Sequence, residues 1–172
     1  MIIVNTGDGK GKTTAALGQA LRAVGEGKRV LMIQFIKGPW KSGEDEAAKL
    51  LAPNFEIRKM GLGFVGILGD TLPLEEHKKA AREALAVARA ETKKAVWDIL
   101  ILDEVNNAVH LNLLTLREVL DFIGEYPKER HLILTGRDAH PEVVALADLV
   151  SEINDIKHPY EKGARAKRGI EY

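Results

Sequence analysis

Residues 5–16 read NTGDGKGKTTAA and follow directly on the apolar start Met1-Ile2-Ile3-Val4. This stretch restricts the fold more than any other. Gly7, Gly9 and Gly11 supply the small, conformationally free residues of a tight turn, where an apolar strand gives way to a sequence of helical period. Such a turn points successive backbone amides at an anion, and the helix N-terminus adds its partial positive charge. The ending Gly11-Lys12-Thr13 is that of a P-loop: the lysine neutralises phosphate oxygens and the hydroxyl meets a divalent cation at the start of the helix. Gly7, Asp8, Gly9, Lys10, Gly11, Lys12, Thr13 and Thr14 are therefore the expected phosphate contacts. The standard spacing wants one more glycine, at position 6, and Thr6 stands there.

Downstream, short β-branched runs alternate with longer segments of helical period, the pattern of βα units on a mainly parallel sheet. Strands are expected at 2–6, 29–36, 55–60, 97–103, 131–135 and 149–153, and helices at 12–25, 44–51, 74–95, 116–125 and 141–147. Pro141 suits the first turn of the last helix, where a missing amide hydrogen costs little. The expected fold is α/β: a three-layer, P-loop NTPase-like (RecA-like) arrangement with about six strands. At 172 residues and 45% apolar content, the chain suits one such domain spanning 1–172, with 157–172 as a tail segment whose plain reading is a solvated terminus.

A second motif fits the first. Ile99-Leu100-Ile101-Leu102 runs apolar into Asp103-Glu104, the form of a strand that delivers a carboxylate to a nucleotide-bound metal. Ligands on open parallel sheets bind beyond the carboxyl ends of the strands. The second strand ends there in Gln34 and Lys37, and the fifth in Thr135, Gly136, Arg137 and His140. Lys37 and Arg137 suit a polyphosphate; His140 reads as a cap on the helix at Pro141, and the other histidines as structural or exposed. Residues 61–73, GLGFVGILGDTLP, break the βα pattern with four glycines and with Phe64, Ile67 and Leu68 in a loop.

Composition removes other classes. Lys plus Arg and Asp plus Glu each number 25, so no overall basic field advertises nucleic acid or an anionic membrane. The five basic residues of the tail, Lys157, Lys162, Arg165, Lys167 and Arg168, alternate with Glu161 and Glu171, and Tyr160 and Tyr172 make a poor stacking platform. With no cysteine there is neither a disulfide framework nor a thiolate metal site, and no run reaches the ~20 apolar residues of a membrane span. A cytoplasmic protein without membrane or nucleic-acid partners is expected.

Taken together, TGDGKGKTTAALG, QFIKG, ILDEV, TGRDAHPE with LADLVSEI, and KHPYEKGARAKRGIEY resemble the P-loop ATP:corrinoid adenosyltransferases, in the same order and from end to end. The resemblance implies that Co(I) of a reduced corrinoid attacks the ribose 5′-carbon of ATP, forming a cobalt–carbon bond and expelling triphosphate, in adenosylcobalamin biosynthesis or salvage. It further implies ATP held with the loop around its terminal phosphate, Mg2+ or Mn2+ on Thr13 and Glu104 with Asp103 direct or one shell out, and Lys12, Thr13 and Glu104 as the catalytic set. Lys37 and Arg137 would add substrate contacts. A homodimer and a flavin-type reductant complete what it implies. Family members also place aromatics of a GFTW-like stretch against the corrinoid, to make a dry four-coordinate cobalt. Here the stretch reads Gly63-Phe64-Val65-Gly66, so Phe64 and Val65 are the expected contacts and the tryptophan position is glycine. Some members fold an N-terminal extension over the site; this chain starts at its first strand, and a lid would come from elsewhere, such as the C-terminal segment. On the residues alone, another P-loop ATPase or kinase, or a non-catalytic ATP- or corrinoid-binding module, would use Lys12, Thr13 and the two acids equally well.

Overall fold

The computed structural model describes residues 1–67, 69–159, 163 and 165–170. Leu68, and Tyr160, Glu161, Lys162, Ala164, Glu171 and Tyr172 of the tail, lie outside the described residues. Six strands form one sheet, β1 (Ile2–Thr6), β2 (Val30–Gln34), β3 (Phe55–Lys59), β4 (Ile99–Asp103), β5 (His131–Thr135) and β6 (Leu149–Glu152), in the order β3-β2-β4-β5-β1-β6. Every pairing is parallel. The helices are α1 (Lys12–Gly25), α2 (Gly43–Leu50), α3 (Leu74–Lys94), α4 (Val105–His110), α5 (Leu116–Glu125) and α6 (Pro141–Leu146).

The three layers follow from the two-residue alternation of the strands. Leu31, Ile33, Leu100, Leu102, Leu132 and Leu134 point to one side, against Ala81, Ala84, Leu85 and Ala88 of α3 and Val119, Phe122 and Ile123 of α5. Val30, Met32, Ile99, Ile101 and Ile133 point to the other, against Ala16, Ala20 and Ala23 of α1 and Ala48 of α2. β2 and β4 are covered on both faces and buried throughout, which is why they read as unbroken apolar runs. Edge strand β6 is exposed along its whole length.

The expected elements are all present, four of them (β1, α1, α5 and β5) with the expected ends and the rest with ends shifted by no more than two residues. β2 stops at Gln34 because its carbonyl is taken by the amides of Met60 and Gly61, where the chain leaves β3. Helix α4 was not anticipated: six residues of VNNAVH carry too little period to register. It starts from Glu104, a non-glycine residue in the left-handed region at φ 64°, whose amide donates to Thr135 Oγ1 at 2.9 Å. Among the described residues no helix is long and apolar enough to cross a membrane.

Loop 61–73 is organised from its end. Asp70 accepts from the amides of Gly66 (2.8 Å) and Leu72 (3.0 Å), and the buried His77 of α3 donates through Nε2 at 3.1 Å. Those two backbone bonds, with the desolvation opposing and the His77 bond assisting, hold the Asp70 carboxyl below its usual range.

Candidate active site

At the end of β1 the chain enters the glycine loop through positive φ at Gly7 (93°) and closes it at Gly11 (133°). The segment leaving β6 lies directly beneath: Ile153 donates its amide to the Thr6 carbonyl (2.9 Å), and Gly9 donates to the Ile153 carbonyl (2.7 Å). A Cβ at Gly9 would stand 2.7 Å from the Asn154 carbonyl carbon, and one at Gly7 would run into the Ile153 carbonyl oxygen. Glycine is thus demanded by backbone packing as well as by the turn. The Lys10 amide donates to Asp155 Oδ1 at 3.1 Å, tying the loop's tip to the same segment. Thr6 also has a place: its Oγ1 accepts from the Ala139 amide at 3.1 Å and fixes the segment after β5.

Asp103 is completely buried and fully engaged. Its Oδ1 accepts from Thr13 Oγ1 (2.8 Å) and Thr135 Oγ1 (2.7 Å), and its Oδ2 from Gln34 Nε2 (3.0 Å). One carboxylate therefore joins the glycine loop to the ends of β2, β4 and β5. Glu104 is the opposite case. Its Oε2 is buried and has no hydrogen-bond partner among the described residues. Burial and the neighbouring Asp103 charge push its carboxyl up to about 7, against the pull of Lys12, Lys37 and Arg137. Lys12 is 7% exposed and turns back on its own loop, its Nζ donating to the carbonyls of Gly7 and Gly9, each at 2.6 Å. Burial lowers its pKa, and Glu104 works in the other sense.

These groups open onto a cleft of about 930 Å3 whose walls include Asp8, Lys10, Thr14, Lys37, Glu104 and Arg137. Lys37 is ion-paired with Glu44 of α2. Desolvation would raise the Glu44 carboxyl, but the Lys37 hydrogen bond outweighs it and the net shift is downward. Arg137 is carried by the turn at Gly136 (φ 128°), which presses on Asn107. Its amide donates to Asn107 Oδ1 at 2.6 Å, and its Nε lies 3.9 Å from Asp8 Oδ1. The expected phosphate contacts thus converge, with Gly7 behind the loop as a carbonyl acceptor. Phe64 and Val65 do not line this cleft. Phe64 is half-exposed on the neighbouring surface beside Trp40, and Val65 packs against the main core. The sequence analysis passed over Trp40, although it stands three residues beyond Lys37, just past the QFIKG stretch. The tail also does more than a solvated terminus would: Gly169 and Ile170 line the cleft, and the Ile170 carbonyl accepts from Lys10 Nζ at 2.6 Å. His140 caps α6 as expected, its Nδ1 accepting from the Glu142 amide at 3.3 Å.

The donors fit a hard divalent cation. The Thr13 hydroxyl and the unpartnered Glu104 oxygen are hard oxygen donors of the kind such a cation takes. No group of three or more His, Cys, Asp or Glu able to hold a metal occurs among the described residues.

Loop, acids and cleft describe a nucleotide site without saying what is done there. The sequence supplies that: the family model of ATP:corrinoid adenosyltransferase BtuR/CobO/CobP matches residues 1–172. The chain belongs to this family. A corrinoid adenosyltransferase of Escherichia coli K12 is 42% identical over 173 residues, covering 100% of this chain and 85% of the relative. The corrinoid adenosyltransferase CobA of Salmonella typhimurium is 39% identical with the same coverage. A corrinoid adenosyltransferase of Pseudomonas aeruginosa is 33% identical over 172 residues, covering 83% of the relative.

Proposed function

We propose that this chain, acting as a single catalytic domain, transfers the 5′-deoxyadenosyl group of ATP to the Co(I) centre of a reduced corrinoid and releases triphosphate. The observation that carries the proposal is the coupling of Thr13 to the buried Asp103, in a chain that the adenosyltransferase family matches from end to end. In the step itself, the cobalt electron pair forms the bond to C5′, the C5′–O bond breaks, and its electron pair departs with the triphosphate. Cobalt goes formally from Co(I) to Co(III), and no proton has to move.

The protein's residues then orient the substrate and stabilise the leaving group. The amides of the glycine loop other than those of Gly9 and Lys10, which are taken by Ile153 and Asp155, bind phosphate oxygens. The Lys12 ammonium exchanges the Gly7 and Gly9 carbonyls for phosphate oxygens, which is favourable because a charge-assisted pair replaces two neutral acceptors. Lys37 and Arg137 add charge at the walls. Asp103 holds the Thr13 hydroxyl in place, and Thr13 with Glu104 would hold Mg2+ or Mn2+. When bound, the cation neutralises phosphate charge as it accumulates on the departing oxygen. Phe64, with support from Val65, belongs to the corrinoid side. A homodimer, a cytoplasmic setting and a flavin-type reductant belong to the same proposal; the cysteine-free composition supports the reducing compartment.

Products decide between this and a P-loop kinase or ATPase. Incubation with ATP, magnesium and chemically reduced cobalamin is expected to yield triphosphate together with the absorbance change of a cobalt–adenosyl bond. ADP and phosphate formed without corrinoid would overturn the proposal.

A further inference from the structure

Of the two tryptophans and four phenylalanines in this chain, Trp97, Phe35, Phe55 and Phe122 are buried. The two that remain, Trp40 (60% exposed) and Phe64 (48% exposed), lie against each other, with ring centroids 5.9 Å apart and planes inclined at 32°. They come from different loops, one following β2 and one following β3. The seat of Trp40 is closely built. A Cβ on Gly63 would stand 2.7 Å from its ring, and one on Gly38 would stand 2.5 Å away, so the two glycines leave the room in which the ring lies. Lys59 at the end of β3 donates to the Trp40 carbonyl (2.5 Å), to Ser42 Oγ (3.2 Å) and to Asp45 Oδ2 (2.6 Å), anchoring the chain where it leaves Trp40. Leu62, Ile67 and Leu72, in the same loop as Phe64, are exposed as well.

An indole held this firmly yet left open to water is a contact surface for an apolar, flat partner. The surface adjoins the nucleotide cleft: Lys37 and Glu44, which line that cleft, bracket Trp40 in the chain. It also supplies what the loop lacks. The tryptophan position of the family's stretch is Gly66 here, at φ 68° and with open space around it, so that position supplies no ring.

We propose that Trp40, delivered from the loop after β2, is the second aromatic of the corrinoid face and works with Phe64 to exclude the lower axial ligand from cobalt. This rests on the adenosyltransferase proposal above. The chemistry follows from the electron count: Co(I) carries an added electron pair along its axis, so an axial nitrogen opposes reduction, and an apolar wall without donor atoms in its place favours it.

The test uses the full chain with ATP and compares two cobalt states. Starting from cob(II)alamin with a dihydroflavin reductant, W40A is expected to lose about tenfold or more in adenosylation rate, the range for loss of an apolar contact in a specific pocket. F64A should behave alike, and W40F should recover most of the rate. With preformed cob(I)alamin the same variants lose only the corrinoid contact, as the ligand has already gone, so their loss should be clearly smaller than from cob(II)alamin. A second readout is spectroscopic: in the paramagnetic resonance of cob(II)alamin bound with ATP, the splitting from the axial nitrogen should be lost in the parent chain and retained in W40A. Equal losses with both cobalt states, or a W40A variant matching the parent from cob(II)alamin, would overturn the role of Trp40. Failure of the parent chain itself to adenosylate cob(I)alamin would instead overturn the functional proposal, and the two failures are told apart by that one assay.

Discussion

Asp103 and Glu104 are adjacent in the chain and opposite in condition. The first has both oxygens occupied by Thr13, Thr135 and Gln34; the second keeps a buried oxygen without a partner and has its carboxyl pushed up to about 7 by burial and by Asp103. A raised carboxyl pKa means that the protonated form persists into the neutral range, and the proton competes with any cation at that oxygen. Binding of ATP with magnesium should accordingly strengthen as pH rises from about 6 to 8, approaching about tenfold per unit below the midpoint, which is the slope for release of one proton. The E104Q variant should bind more weakly and show only the pH dependence of ATP itself; calorimetric titration at several pH values checks this, and an unchanged profile would remove Glu104 from the site. That an apolar strand ends in two acids was plain in the sequence. Which of them is saturated was not, because Gln34 and Thr135 reach Asp103 from strands 69 and 32 residues away.

Elements were legible where period and punctuation agreed. The apolar runs of β2 and β4 and the alanine stripes of α1 and α3 carried their own signal, whereas α4 is set by the left-handed turn at Glu104 and the Thr135 hydroxyl. The loop between β3 and α3 shows how a segment without repeating structure is still specified. Asp70 gathers the Gly66 and Leu72 amides and is held in turn by His77, so one carboxylate sets the shape of the apolar loop from the first turn of a helix. Replacing it by alanine leaves two amides and a buried imidazole without their acceptor. Hydrogen–deuterium exchange of D70A is expected to show faster exchange across residues 61–73 with β4 and α5 unchanged. Equal protection in variant and parent would mean that the glycines and apolar packing alone set the loop.

On the scale of the whole molecule, distant segments are joined by a second carboxylate, at a distance from the cleft. Glu91 of α3 accepts from Arg58 of β3 (2.7 Å), from Lys94 (2.7 Å) and from the Trp97 indole (3.0 Å) just before β4. Desolvation alone would raise its pKa, but those three bonds prevail and bring it from 4.5 down to about 2. A carboxyl depressed on folding contributes stability that is fully present above its unfolded pKa of 4.5 and is lost as pH falls toward about 2. E91Q should therefore be less stable than the parent at pH 7 by about 1–3 kcal/mol, the range for a charged hydrogen bond, with the difference shrinking through that acid window; denaturant unfolding at pH 7 and pH 3 measures it. The sequence by itself determined the alternating α/β pattern, the phosphate loop and the acid-ended strand, since strand period, glycine turns and charged termini are local properties of the chain. Only the tertiary structure decided that β5 lies between β1 and β4, that the exit of β6 makes glycine obligatory at Gly7 and Gly9, and that Trp40 meets Phe64. Each of these depends on contacts between residues far apart in sequence, and strand order and loop packing are fixed by the burial of both sheet faces together rather than by any one segment.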